Sequence, residues 1–469
     1  MDKYIAEQLL WGHNRGIRME KIGADIRAIP WIVFARVFFG LFWLYEITIG
    51  HNWKVGHEGW VGAGAGDWLA ADIIKAINAG TWGWAEWFLT TLIMPYVEFF
   101  SYAVLGLQLL IAISLIFGIF VRPVAIVGLA HTFVMLMTGH SRVPPFFSIG
   151  FLLILAFDAG MYYGLDAILV RKLKQAGGSI ANFIRWVIQV PFPDWIKLYV
   201  ALPVLILSTS YFALDMVINE STKFRMASLD LILILGLSAV GLALLKKTKL
   251  IPLTARLLGI FVGYRFLHEM LIRKTPALNG LPGWDSAATL VKPFEDVVAN
   301  GYAPMAWVAT NIFIPYSQTW LYAFGVVQLA VGAMLILGYK TRVAGFVGIG
   351  YLSLLLLMGF ARYVPFMLGL LVISWALNNG KVLSLDGLIG KEKSIRVPHF
   401  SVQALFIATI VLIGTTYLAV TGGITPDSYK TLIGENTAAM IAMIALPLVI
   451  AGAIQTQREL KKQLHKIQG

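Results

Sequence analysis

The chain carries the same stretch twice, 220 residues apart. Residues 117–169 align without a gap on residues 337–389, and 13 of the 53 positions are identical. Most of the shared residues are Gly, Pro, Arg and Asp, which mark bends, close approaches and helix ends. An internal repeat of this kind constrains the overall architecture more strongly than any local feature. It divides the chain into two related halves, with shared pairs that include Gly118 and Gly338, Arg122 and Arg342, Gly139 and Gly359, Pro145 and Pro365, and Asp166 and Asp386.

Both halves are too apolar for a soluble domain. Hydrophobic residues make up 58% of the chain and charged residues 13%, against about 25% charged in soluble domains. The net charge of +12 is spread over helix ends, which fits the positive-inside rule and argues against a nucleic-acid partner. Cysteine is absent, which excludes disulfides, thiolate metal sites, iron–sulfur clusters and covalently attached haem. We therefore expect an all-α polytopic membrane protein without a haem, iron–sulfur or other metal site.

Twelve apolar windows are long enough to predict membrane-spanning helices of about 20 residues. With the N-terminus in the cytoplasm, the inner segments hold 24 Lys and Arg residues and the outer segments hold 10, so both termini are predicted to be cytoplasmic. The windows lie near 29–50, 92–117, 121–139, 144–166, 197–218, 228–246, 252–272, 314–338, 342–360, 363–379, 402–420 and 437–455.

The windows group into two parallel repeats of six helices. An even number of spans leaves the second repeat in the same orientation as the first. We predict an interfacial N-terminal segment at 1–28, a first repeat at 29–246, a second repeat at 250–455 and a basic tail at 456–469.

Ionisable residues inside predicted spans are costly in a bilayer, so each is a candidate for binding or catalysis. Arg36 recurs as Arg256, and both are predicted either to snorkel to the headgroups or to face inward and bind an anion or a quinone carbonyl. His131 and Glu98 lie on the predicted third and second spans, where an imidazole or carboxyl could move protons.

Further candidates lie near the outer ends of the predicted spans. Arg265 and Glu269 are four residues apart, which predicts an ion pair on one helix face beside His268. Arg142 and Arg362 occupy matching outer turns, each just before a Pro-initiated helix, where a cation could hold a small external anion. His140 lies beside Arg142 and is the third member of this predicted anion site.

Each half also contains a recurring set of four short motifs: an early Arg, a second helix ending in Gly-x3-Arg, a Gly-rich third helix, and a fourth closing on Gly-x4-Leu-Asp. This set resembles the DoxX/DoxD family, which includes the membrane subunit of archaeal thiosulfate:quinone oxidoreductase. The family commonly has a Glu where both halves here have Gln, at 108 and 328. The matching regions span residues 29–170 and 250–390, each as a DoxX-like four-helix bundle.

The resemblance implies oxidation of a small sulfur anion such as thiosulfate on the outer side of a prokaryotic plasma membrane, with electrons passed to membrane quinone. It implies that the partners are the bilayer, the quinone and the sulfur anion, with a second small subunit or a homodimer as a further expectation. Quinone would be a substrate rather than a resident cofactor. Two other functions stay open: a non-catalytic anchor of a respiratory or sulfur-oxidising complex, and a secondary transporter, which parallel repeats also suit.

Overall fold

Helices are the only regular secondary structure in the part of the chain that the computed structural model describes. That part comprises residues 28–48, 54, 59–140, 143–189, 196–245, 248–272, 286, 288–301, 303–359, 363–377, 382–389, 402–421 and 433–468. In the first half, the helices are α1 (Ile29–Thr48), α2 (Asp67–Asn78), α3 (Gly83–Phe117), α4 (Val121–Met137), α5 (Pro144–Phe157), α6 (Leu165–Ala176), α7 (Gly178–Gln189), α8 (Leu202–Ile218) and α9 (Thr222–Leu244).

The second half of the chain, from residue 250 onward, is also helical in its described residues. Its helices are α10 (Leu250–Leu267), α11 (Ala288–Asn300), α12 (Ala303–Val308), α13 (Ser317–Leu337), α14 (Thr341–Leu357), α15 (Val364–Ala376), α16 (Leu385–Leu388), α17 (Val402–Thr421) and α18 (Ile433–Gln468).

Seven helices among the described residues are long and apolar enough to cross a membrane. Five shorter apolar helices, of 10–17 residues, lie at the remaining predicted windows: α4, α5, α14, α15 and the Leu405–Val420 part of α17. For the described residues, the prediction of an all-helical chain with several helices able to cross a membrane is therefore confirmed.

The predicted helix over 144–166 is shorter than its sequence pattern indicates. It ends at Phe157, because Asp158 adopts a left-handed backbone conformation with φ 54° and a 3-10 turn follows. At about 1.5 Å per residue, the 14 residues of α5 extend about 21 Å. Nearly every residue of α5 and of its counterpart α15 is buried, so both lie inside the bundle.

The two halves meet at a pair of equivalent phenylalanines. The rings of Phe146 in α5 and Phe366 in α15 stack with centroids 5.8 Å apart, and their positions differ by 220. Phe147 and Phe42 add edge and tilted contacts to Phe366, at 5.0 and 4.9 Å. The core between the halves is thus a continuous aromatic layer in which every ring is buried.

The repeated Asp residues cap the repeated helices. The Asp166 carboxylate accepts the backbone N–H groups of Phe120 and Val121 at 2.7 and 3.0 Å, at the start of α4. Asp386 accepts those of Lys340 and Thr341 at 2.9 and 3.1 Å, at the start of α14. The first N–H groups of a helix have no intrahelical acceptor, so these carboxylates supply one from a distant part of the chain.

The first of these caps predicts a pH dependence of stability. Burial raises the pKa of Asp166 from 3.8 to about 6, although its two N–H donors favour the ionised form. The folded chain then binds this proton more tightly than the unfolded chain, so stability falls as pH rises from about 4 to about 6. We expect a fall of about 1–3 kcal/mol, measured by thermal unfolding in detergent. The slope should disappear in D166N and persist in D67N, which removes an exposed carboxylate; an unchanged slope in D166N would refute the assignment.

Candidate functional site

The recurring arginines lie inside the bundle and bind main-chain carbonyls. Arg36 donates from Nη1 to the carbonyl of Ala159 at 3.3 Å and from Nη2 to that of Tyr163 at 3.2 Å. Arg256 donates to the carbonyl of Leu383 at 2.8 Å and to those of Leu335 and Ile336 at 2.5 Å each. Both residues are almost completely buried, so neither snorkels to the surface. Their donors tie together the ends of neighbouring helices, which is a positioning role.

His131 belongs to a buried chain of three polar side chains, which we call the lysine cluster: Lys54, Gln108 and His131. Lys54 Nζ donates to Gln108 Oε1 at 2.6 Å, and Gln108 Nε2 lies 2.7 Å from His131 Nε2. Because the Gln108 oxygen accepts from the ammonium, its amide nitrogen donates to His131, whose Nε2 is then an acceptor and whose proton lies on Nδ1. The cluster therefore offers a cation, an amide and an imidazole in series.

Aromatic rings surround the lysine cluster. Lys54 Nζ lies 4.3 Å from the centroid of the Trp60 ring, and the rings of Trp43 and His131 are 5.7 Å apart. The exposed fraction of Lys54 is only 4%, so its charged form carries a desolvation penalty. Burial lowers the pKa of Lys54 to about 8, with Glu46 and Asp72 acting in the opposite direction. This amine can exchange a proton close to neutral pH.

The second half holds a different polar group, which we call the carboxylate cluster: Asp230, Tyr264, Arg265, His268 and Glu269. Arg265 Nη1 donates to both Asp230 oxygens, at 2.9 and 3.1 Å, and the Tyr264 hydroxyl donates to Asp230 Oδ1 at 3.0 Å. Asp230 and Arg265 are 0% and 1% exposed, and the pair joins α9 to α10.

The predicted ion pair within α10 and its extension is confirmed. Arg265 Nη2 lies 3.5 Å from Glu269 Oε1, and His268 Nδ1 lies 3.6 Å from the same oxygen. Arg265 also lies over the ring of Phe146, 4.9 Å from its centroid, at the aromatic layer between the halves. The side chains of His268 and Glu269 are 8% and 7% exposed.

The two halves share one amide position and differ in its partner. Gln328 matches Gln108 by the 220-residue offset, and its Nε2 lies 2.5 Å from the hydroxyl of Tyr351, which matches His131. The same backbone geometry therefore presents an imidazole in the first half and a phenol in the second.

The predicted outer anion site is described in part. His140 Nδ1 lies 2.8 Å from the Thr138 hydroxyl, and its Nε2 lies 3.5 Å from Asp72 of α2. Burial lowers the pKa of His140, the nearby Asp72 raises it, and Lys223 lowers it further. The predicted residues Arg142 and Arg362 lie outside the described residues. Glu98, in the first turn of the Val97–Phe117 part of α3, is exposed rather than part of either cluster.

Two important residues were not selected from the sequence. Lys54 looked like an ordinary outer-loop cation, although it matches Lys274 at the repeat offset, and that match could have singled it out. Asp230 precedes Arg265 by 35 residues, a spacing that no local rule connects. Among the described residues, no group of three or more His, Asp or Glu side chains is placed to hold a metal ion.

Comparisons of the chain with protein-family models, with curated proteins and with solved structures give no match.

Proposed function

We propose that this protein is an integral membrane oxidoreductase, or the membrane subunit of one, that oxidises a small sulfur anion such as thiosulfate and reduces membrane quinone. The observation that carries the proposal is the buried lysine cluster, with its aromatic surroundings. A quinone head group is a flat ring with two carbonyl oxygens, which suits aromatic side chains beside hydrogen-bond donors. We place the head group against Lys54, with Trp43 and Trp60 beside the cluster.

The chemistry requires two electrons and two protons. Two thiosulfate ions that lose one electron each can join through a new S–S bond, and the quinone gains both electrons together with two protons. A buried ammonium stabilises the negative charge that builds on a quinone oxygen, and it can transfer a proton to that oxygen. In this proposal His131, which is linked to Lys54 through Gln108, is the second proton carrier.

The architecture that supports this proposal is a pair of six-helix repeats with twelve spans. The seven long helices and five short apolar helices together match the twelve predicted windows. The equivalent Asp caps support a shared four-helix scaffold in the two halves. In this proposal the chain contains two copies of a DoxX-like four-helix scaffold, and the buried polar side chains differ between the two copies.

The test is thiosulfate-dependent quinol formation by the purified protein in proteoliposomes. We expect K54M to lower turnover about a hundredfold, the scale of one general acid with a favourable charge, and H131Q to lower it by about tenfold or more. K340M removes an exposed lysine and should leave turnover unchanged. Normal turnover in both K54M and H131Q would refute the quinone site.

A different outcome would favour a different class of function. If the isolated chain forms no quinol but copurifies with redox subunits, it is an anchor subunit. The carboxylate cluster favours a second candidate, secondary transport, because buried ionisable groups between membrane helices mark ion pathways in transporters. Substrate counterflow in the same proteoliposomes tests that alternative.

A further inference from the structure

An exposed apolar stripe runs along α7. Ile180, Phe183 and Trp186 are spaced three residues apart and are 78%, 63% and 55% exposed. The rings of Phe183 and Trp186 stack with centroids 6.1 Å apart. Another side of the same helix is buried through Ala181 and Ile188. The helix is therefore apolar both where it meets the bundle and where it faces outward.

Basic residues accompany this stripe. Residues 167–189 contain four cations and no carboxylate. Three of the cations lie near the end of α6, where Arg171, Lys172 and Lys174 are exposed, and the fourth is Arg185 of α7. We call residues 165–189 the α6–α7 hairpin. It combines exposed aromatic side chains with a net positive charge, the pattern of helices that lie in a membrane interface.

The hairpin is fixed to the bundle at both ends. Asp166, in its first turn, holds the start of α4, as described above. At the other end, Arg122 of α4 donates to the carbonyl of Gln189. Between the helices, Gly177 and Gly178 have φ values of 66° and 84°, which permit the tight reversal. The exposed stripe is thus held in one orientation by the fold.

We propose that the α6–α7 hairpin lies in the headgroup region of the bilayer and binds anionic phospholipid. The α7 stripe would insert into the acyl boundary, as aromatic side chains favour that depth. The α6 cations would contact the phosphates of anionic lipids, each contributing to the attraction. Charge complementarity favours anionic lipid over a soluble partner, since the apolar stripe and the cations occur together on one short element that is anchored at the start of α4.

The first experiment measures the depth of the stripe in the membrane. The natural chain has no cysteine, so F183C carries a spin label without any background substitution. In nanodiscs, we expect the label at 183 to be accessible to oxygen and protected from an aqueous nickel chelate. The label of Q175C, an exposed polar position near the hairpin turn, should show the reverse preference. Equal nickel access at both sites, or protection of 183 from both reagents, as under a protein partner, would refute the proposal.

The second experiment measures the preference for anionic lipid. Phosphatidylglycerol and phosphatidylcholine are titrated into the detergent-solubilised full-length protein, and bound lipids are counted by native mass spectrometry. K172Q/K174Q should weaken phosphatidylglycerol binding about fivefold for each cation removed and leave phosphatidylcholine binding unchanged. K75Q/K292Q, which removes two exposed lysines elsewhere, should have no effect. Equal phosphatidylglycerol affinity of the wild type and K172Q/K174Q would overturn the assignment of the lipid site to this hairpin.

Discussion

Replacing Arg265 with methionine is expected to lower the free energy of unfolding by about 3–5 kcal/mol. The guanidinium donates to both oxygens of Asp230, and both side chains are almost completely buried. Removing it leaves a carboxylate in the protein interior with only the Tyr264 hydroxyl still donating to it among these contacts. A buried charge without its partner is far costlier than the pair itself is stabilising. Thermal and chemical unfolding in detergent would measure the loss.

A double variant separates this mechanism from a loss of packing. R265M/D230N removes both charges and keeps an acceptor for Tyr264, so we expect it to recover at least half of the stability that R265M loses. The matched single control is R342M, because Arg342 is an exposed cation of the same half. If R265M unfolds like the wild type, the pair does not stabilise the fold. If the double variant is no better than R265M, the unpaired carboxylate is not the cause.

The helical architecture was predictable from the sequence because several helix ends fall at residue types with few alternatives. Gly118 and Gly338 both end a helix with positive φ, at 71° and 67°, which few residues other than glycine adopt. Asp166 and Asp386 recur at the same 220-residue offset, and each caps the helix that begins just after one of these glycines. Such positions tolerate few residue types, so they remain visible in an ungapped alignment of the two halves.

The polar clusters were only partly predictable because their contacts are distant in sequence. The spacing of Arg265 and Glu269 on one helix predicted their ion pair, which the structure confirms. The stronger contact of Arg265, with Asp230, depends on how α9 packs against α10, and no periodicity encodes that packing. Lys54 lies beyond the end of α1, in a segment that the predicted spans leave as a loop. Its side chain nevertheless donates to Gln108 inside the bundle.

The role of the recurring arginines shows the same limit. A cation inside a predicted span carries a high cost of insertion into the bilayer. From the sequence, Arg36 and Arg256 could equally bind an anion or a quinone or extend to the headgroups. In the structure, both residues donate to carbonyls at helix ends that are more than 75 residues away along the chain. Every residue carries a backbone carbonyl, so a sequence pattern cannot show which carbonyls will accept from a distant arginine.

The second large effect is expected at the turn that receives Arg36. A Cβ atom added at Gly118 would lie 1.9 Å from Arg36 Nη1 and 2.5 Å from the Cα atom of Gly164. Neither can yield easily, because the guanidinium is held by two carbonyls and the second neighbour is backbone. The φ of 71° adds about 1–2 kcal/mol for any residue with a side chain. We expect G118A to be destabilised by at least 3 kcal/mol, or to fail to accumulate in the membrane.

The same helix provides its own control. Gly106 lies within α3, the helix that ends just before Gly118, and a Cβ atom added there would have no neighbour within 4 Å. G106A should therefore be neutral or stabilised by up to about 1 kcal/mol. The comparison of melting temperatures in detergent isolates the turn from the general effect of Gly-to-Ala substitution in a helix. If G118A and G106A melt together, then the turn is not held by Arg36. If only G118A fails, Arg36 and the glycine turn form one structural unit, and loss of turnover in an Arg36 variant would report on the fold rather than on the quinone.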